Sequence, residues 1–253
     1  MIASLQERAK RNPALVKAHG EYNFVKDFLL VAARHPEKRR LFLRVKPYTM
    51  SSVRRLDNVY QLANAVETAQ LPGAFVECGV WNGGCGAVMA YVAKRANSGR
   101  VTWFFDSFEG LPEPVALDGT NAALYARSRT SGELKTIDQC VGSQERVEEV
   151  LFDRLRIDRA AVQIRKGWFQ NTIPAAANEI GPIAILRLDG DWYESTKVCL
   201  ENLFDNVVPN GYVIIDDYGF WEGCAKAVDE FLERRGLSVT LEPIDYAGRY
   251  FQK

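Results

Sequence analysis

The chain reads as an α/β protein: a doubly wound, mostly parallel seven-stranded sheet with an antiparallel C-terminal hairpin and an N-terminal helical extension. Three observations predict this. From about residue 71 onward, short apolar runs alternate with stretches of helical spacing, which is the pattern of a parallel sheet with crossover helices. The last two runs are joined by little more than Asp245-Tyr246-Ala247, too short for a crossover, so that pair is expected to be antiparallel. Two of the apolar runs end in paired aspartates, and ligands bind outside the carboxyl ends of strands in such sheets.

Residues 1–70 form the expected helical extension, broken at Pro13, Pro36 and Pro47. Ser51-Ser52 offers an N-cap, followed by Leu56, Tyr60, Ala63 and Val66 at helical spacing. Pro72-Gly73 ends that element, and residues 71–253 form the α/β domain. Ala74 to Cys78 is the first strand, followed by a glycine-rich turn and a helix over Ala87 to Ala96. Val101 to Phe105 is the second strand. The polar stretch from Pro112 to Gly142 shows little periodicity. Ser143 caps a helix running through Leu155, and Val162 to Arg165 is the third strand. Ile183 to Leu188 and Tyr212 to Ile215 are the fourth and fifth, with a helix from Glu194 to Phe204 between them. A helix from Glu222 to Arg235 ends at Gly236. Ser238 to Ile244 and Gly248 to Gln252 close the sheet.

Nearly half of the 253 residues are apolar, enough for a sizeable core. Lys+Arg and Asp+Glu both number 32, and this balance argues against a nucleic-acid or anionic-membrane surface. No apolar run approaches twenty residues, so no membrane span is expected. The 5 cysteines show no metal-binding spacing, and their odd number points to reduced thiols in a cytoplasm.

The Leu188-Asp189-Gly190-Asp191 segment is the centre of the functional reading, with Asp216-Asp217 at the end of the next strand. Asp189 and Asp191 are two apart, so in extended chain they face the same side. Four carboxylates at neighbouring strand ends repel one another unless a hard cation sits among them or one stays protonated. Asp189, Asp216 and Asp217 form an oxygen donor set suited to Mg²⁺, leaving Asp191 as a base. The plain alternative for each aspartate is a turn or cap residue. The only histidines, His19 and His35, lie in the N-terminal region and are expected to be structural, so the base role falls to a carboxylate. The run Glu37 to Arg40 reads as a solvated face.

The turn Glu77-Cys78-Gly79-Val80-Trp81-Asn82-Gly83-Gly84 does not fit Gly-x-Gly-x-x-Gly, so a dinucleotide fingerprint is absent. Its glycines admit a cofactor close to the backbone, and Glu77 or a nearby carbonyl can accept from the ammonium of S-adenosylmethionine; the alternative is an ordinary tight turn. Asp106, ending the second strand, can accept ribose hydroxyls or merely cap a helix. Gly167-Trp168 after the third strand can flank an adenine ring, or Trp168 can be core.

Taken in order, these blocks resemble the macrocin/mycinamicin family of S-adenosylmethionine- and Mg²⁺-dependent sugar O-methyltransferases, which have the class I methyltransferase fold. The matching blocks are Tyr48 to Ser51, Phe75 to Gly84, Asp106-Ser107-Phe108-Glu109-Gly110-Leu111-Pro112, Gly167 to Phe169, Leu186 to Thr196 and Gly211 to Tyr218. The resemblance implies that Asp189, Asp216 and Asp217 hold Mg²⁺ and that Asp191 is the general base. It assigns ribose to Asp106 with Ser107, Phe108 and Gly110, and adenine to Gly167 and Trp168. It assigns the methionine part to Glu77, Gly79, Val80 and Trp81, with Asp189 also beside the cofactor and Met50 and Ser51 closing over it. It further implies a sugar-containing small-molecule acceptor with a vicinal diol, and a homo-oligomer. Two features depart from the family pattern: Asn82 stands where relatives carry Arg, and the Pro112–Ser143 stretch is longer than usual. The competing readings are a metal-dependent methyltransferase of small phenols, a nucleotide-binding oxidoreductase and a silent scaffold.

Overall fold

The computed structural model describes residues 26–31 and 35–253. His19 and Pro13 lie outside the described residues. Residues 26–31 are helical. Helix α1 spans Pro36–Val45 and α2 spans Val53–Thr68, where Ser52 is the N-cap and accepts from the Arg55 N–H. Then come β1 (Ala74–Cys78), α3 (Gly84–Ala96) and β2 (Thr102–Asp106). Short helix α4 (Gly119–Tyr125) and α5 (Gln144–Glu148) precede β3 (Val162–Lys166) and α6 (Phe169–Ile180). The chain continues through β4 (Ile183–Leu188), α7 (Tyr193–Leu203), β5 (Val207–Ile215) and α8 (Glu222–Arg234). It closes with β6 (Glu242–Pro243) and β7 (Arg249–Gln252).

The seven strands form one sheet in the order β3-β2-β1-β4-β5-β7-β6. The first five are parallel, and β7 pairs antiparallel with both β5 and β6. The order reverses between β1 and β4, so the crevice above their carboxyl ends is the expected ligand position. Both faces of β1 and β4 are covered, which is why these strands read as unbroken buried runs. Alternation then sorts side chains between two cores. Phe75, Phe104, Ile185 and Ile214 meet α1, α2 and α3 on one face. Val76, Phe105, Leu186 and Val213 meet α6, α7 and α8 on the other. By the same alternation Glu77 and Arg187 point to the α2–α3 face, and both are buried. The helices at 36–68 share their hydrophobic cluster with β1, α3 and β2.

The fold class follows the sequence, and the differences are local. Helix α3 begins at Gly84, because Gly83 (φ 88°) turns the chain directly into it. The helix expected through Leu155 widens into a π-turn over Glu149–Arg154. The stretch after Pro112 contains α4, which its weak periodicity concealed. Strand β5 starts at Val207, and its pairing with β4 jumps across Asn210 (φ 66°), a bulge that no alternation pattern would register. The penultimate strand shrinks to Glu242–Pro243 at an exposed edge, where Pro243 has no N–H to extend the ladder. Among the described residues no helix is long and apolar enough to cross a membrane.

Candidate active site

A cleft open to solvent lies over the carboxyl ends of β1, β2, β4 and β5. Its position follows from the ladder. The Asp189 N–H donates to the Cys78 carbonyl (2.8 Å) and the Asp216 N–H to the Leu188 carbonyl (2.9 Å), so pairing continues one residue beyond each strand. The acids are thereby delivered at one level.

On the β1 side, Gly79 sits at φ 88°, and a Cβ there would lie 1.8 Å from the Asp189 carbonyl oxygen. The close approach of β1 to β4 at the cleft floor therefore requires glycine. Asp106 organises the facing loops. Its Oδ2 accepts from the Val80 and Trp81 N–H groups, both at 2.9 Å, and its Oδ1 from the Phe108 N–H at 2.7 Å. Burial pushes the Asp106 carboxyl up, and these three hydrogen bonds oppose the push. Met50, Ser51, Trp81, Ser107, Gly110 and Trp168 complete this half of the wall. Phe108 and Gly167 do not line the cleft. Phe108 is buried at φ 58°, and the Gly167 N–H donates to the Asp106 carbonyl, so both shape the Asp106 loop from behind. Asn82 accepts from the Ser143 N–H (3.1 Å) and anchors the start of α5.

Beneath the floor runs an ion network that local pattern did not reveal. Arg187, only 1% exposed, donates through Nη1 to Glu77 Oε1 (2.7 Å) and Asp189 Oδ2 (2.8 Å). Through Nη2 it reaches Asp216 Oδ1 and Ser51 Oγ. Arg55, from α2, donates to Asp216 Oδ2 and to Asp245 Oδ2. Both oxygens of Asp216 are thus held by guanidinium groups. The other Glu77 oxygen, Oε2, is buried against Gly86 of α3, while the residue as a whole lines the cleft floor. A carboxylate in the cleft lining fits a cationic ligand group such as an ammonium.

Asp189, Asp191 and Asp217 bring one oxygen each within 4.8 Å of one another. Burial and the charge of Asp189 push the Asp191 carboxyl up to about 8, against the hydrogen bond from Trp221. Burial and the neighbouring aspartates also push Asp217 well up, and its Oδ2 is buried without a partner. Three hard oxygen donors, mutually repelling and partly unsatisfied, fit a divalent cation. Sequence reasoning placed Asp216 in the metal set and Asp191 outside it; the geometric cluster contains Asp191, while Asp216 faces Arg55 and Arg187. His35 stands exposed at the N-cap position of α1, without a side-chain capping bond, and does not line the cleft. Arg55, Arg187 and Trp221 are the residues that sequence reasoning missed. A charged residue inside the buried run Ile183–Leu188 was the only available signal, and it marked Arg187 alone.

Residues 27–253 match the family model described as macrocin-O-methyltransferase (TylF). The chain belongs to this family. It is therefore an O-methyltransferase, and its class I fold agrees with that of its relatives. One relative is the 8-demethyl-8-(2,3-dimethoxy-alpha-L-rhamnosyl)-tetracenomycin-C 4'-O-methyltransferase of Streptomyces olivaceus, 35% identical over 81% of this chain and 75% of that one. Another is the demethyldecarbamoylnovobiocin O-methyltransferase of Streptomyces niveus, 36% identical over 81% and 76%. The solved O-methyltransferase NovP superposes with a TM-score of 0.70 at 36% identity, covering 81% of this chain and 82% of its own. The calicheamicin methyltransferase CalS11, at 20% identity and a TM-score of 0.66, shares the fold.

Proposed function

We propose that this macrocin-O-methyltransferase family enzyme moves the methyl group of S-adenosylmethionine to a hydroxyl of a vicinal diol on a glycosylated natural product, assisted by Mg²⁺. The observation that carries the reading is the placement of Asp189, Asp191 and Asp217 in one cleft with Glu77 and the loop held by Asp106. Relatives named for methylation of sugar-bearing antibiotics give the acceptor class.

Glu77 is assigned to the ammonium of the donor, with Met50, Ser51, Gly79, Val80 and Trp81 around its methionine part. Asp106, with Ser107, Phe108 and Gly110, is assigned to ribose, and Gly167 with Trp168 to adenine. Asp189 and Asp217 grip the cation, and both the resemblance and the geometric cluster name them. Asp216 is assigned as the third donor, in competition with Arg55 for its Oδ2. Mg²⁺, when bound, supplies a Lewis acid that lowers the pKa of the acceptor hydroxyl. Asp191 takes the proton, a contribution of roughly 10²–10⁴-fold. The departing thioether is neutral and needs no acid. Alignment of donor and acceptor by the rigid cleft supplies much of the remaining acceleration.

The test is a set of three variants, assayed for Mn²⁺ binding by electron paramagnetic resonance and for methyl transfer to para-nitrophenyl α-L-rhamnoside and rhamnosylated polyketides. Asp191→Asn is expected to keep the metal and lose at least ~100-fold in turnover, while Asp216→Asn and Asp217→Asn lose both. Normal turnover by Asp191→Asn removes Asp191 from the base role. Full Mn²⁺ affinity in Asp216→Asn makes Asp191 the third ligand instead.

Leu29, Leu30 and Leu43, exposed on the N-terminal helices, are assigned as contacts of a homo-oligomer, and light scattering of the Leu43→Glu variant tests it. The five cysteines are all unpaired, which supports a reducing cytoplasm as the working compartment.

A further inference from the structure

Trp221 belongs to none of the roles assigned above. Its backbone N–H donates to the Asp217 carbonyl (3.0 Å), and it stands as the N-cap residue of α8. Its indole Nε1–H donates to Asp191 Oδ1 at 2.7 Å. Among the described residues no other hydrogen bond to the Asp191 carboxylate is found.

The donor is rigid. The indole is 6% exposed. It meets the ring of Trp192 edge-on at 4.9 Å, that of Phe220 at 4.6 Å and that of Tyr125, from α4, at 5.5 Å. Trp192 is itself tied down, donating through Nε1 to the Pro112 carbonyl at 2.9 Å. Asp191, by contrast, sits in the left-handed region at φ 58°, on the four-residue link between β4 and the start of α7. A carboxylate can present either oxygen to the cleft by turning about its Cβ–Cγ bond. One fixed donor removes that freedom, since turning breaks a charge-assisted hydrogen bond.

We infer that Trp221 is a positioning residue: its indole N–H pins Oδ1 of Asp191, so that Oδ2 is the oxygen presented to the acceptor hydroxyl. The inference rests on the reading of Asp191 as the base. The proton of the acceptor passes to Asp191 Oδ2, and Trp221 keeps its own proton throughout. The aromatic cage also joins this device to the long 112–142 segment, because Pro112 and Tyr125 hold the two tryptophans in place.

Two replacements separate the N–H from the ring. Trp221→Phe removes the donor and part of the ring. Benzothienylalanine, introduced at position 221 through a suppressor codon, keeps the ring outline and puts sulfur in place of N–H. With para-nitrophenyl α-L-rhamnoside as acceptor, both are expected to lower kcat by about 10- to 100-fold. The KM for S-adenosylmethionine and the Mn²⁺ affinity are expected to stay within about twofold of the wild type. Wild-type kcat in the benzothienylalanine protein reduces Trp221 to packing and overturns the inference. So does a parallel loss of Mn²⁺ affinity and kcat, which makes Asp191 a ligand rather than the base. A third arm is independent of turnover. The Trp221 indole N–H cross-peak, assigned by its loss in Trp221→Phe, is expected to move upfield in Asp191→Asn. A stationary peak shows that the hydrogen bond does not exist. If the wild type methylates no glycoside, the proposed function fails, while this NMR arm still decides the Trp221–Asp191 contact.

Discussion

Arg187 shows how much one side chain can hold together. It is a guanidinium in the middle of a buried strand, and it touches Glu77, Asp189, Asp216 and Ser51. Three acids that sequence reasoning assigned to cofactor and metal therefore share one counter-charge. Removing it leaves the buried Glu77 carboxylate unpaired, while Asp216 keeps Arg55; breaking comparable buried pairs costs about 3–5 kcal/mol. Arg187→Met is expected to lower the free energy of unfolding in urea by that amount. The double variant with Glu77→Gln should recover part of it, because one orphaned charge is gone. Additive losses in the double variant would show that the two residues do not interact. The pattern of apolar residues marked 183–188 as a strand without revealing this role, since alternation says only that position 187 is buried.

At the scale of elements, the strand-to-helix turn after β1 is the most constrained piece of the site. Gly79 at φ 88° has the Asp189 carbonyl where a Cβ would go. Gly99 also has positive φ (68°), but nothing lies within 4 Å of its would-be Cβ. The comparison separates backbone strain from close approach. Gly99→Ala is expected to cost about 1–2 kcal/mol, the price of a left-handed residue. Gly79→Ala carries that strain and in addition forces β1 away from β4. A loss of more than about 3 kcal/mol is expected, together with loss of S-adenosylmethionine binding by calorimetry. Equal losses at the two positions would show that the β1–β4 approach is not what the glycine protects. The glycine-rich block was legible in the sequence, and so was its place between a strand and a helix. Its partner was not, because Asp189 lies 110 residues further along and only the parallel pairing of β1 with β4 brings it there.

The whole molecule gathers its charge unevenly although its net charge is zero. Arg55 from α2, Asp216 from β5 and Asp245 from the β6–β7 connection are bound to one another, so the helical extension and the C-terminal hairpin close on the carboxylate cluster. The cluster makes stability depend on pH. Asp191 is pushed up to about 8 when folded, whereas unfolded it titrates near its ordinary value of 3.8. Between those values the folded state holds a proton that the unfolded state has shed. This contribution to stability is therefore complete at low pH and is lost as pH rises through about 8. A divalent cation supplies the opposing charge in place of the proton. The rise in melting temperature that Mg²⁺ produces over EDTA is accordingly expected to grow from about pH 5 to 8, and to grow less in Asp191→Asn. An increment that shrinks with rising pH would contradict this account of the cluster.

Local pattern by itself determined the alternation of strands and helices, the antiparallel last pair, and the family signal in the Asp-Ser-Phe-Glu-Gly-Leu-Pro and Asp-Gly-Asp blocks. These are properties of neighbours in the chain, set by periodicities of two and of about 3.6 and by turn residues. Tertiary structure alone decided how the four aspartates divide, with Asp216 turned to Arg55 and Arg187 and with Asp191 joined to Asp189 and Asp217 beneath Trp221. Strand order and register bring Arg55 to a carboxylate 161 positions away and the Trp221 indole to one 30 positions away. The electrostatics of a site depend on such distances in space, and spacing along a sequence does not carry them.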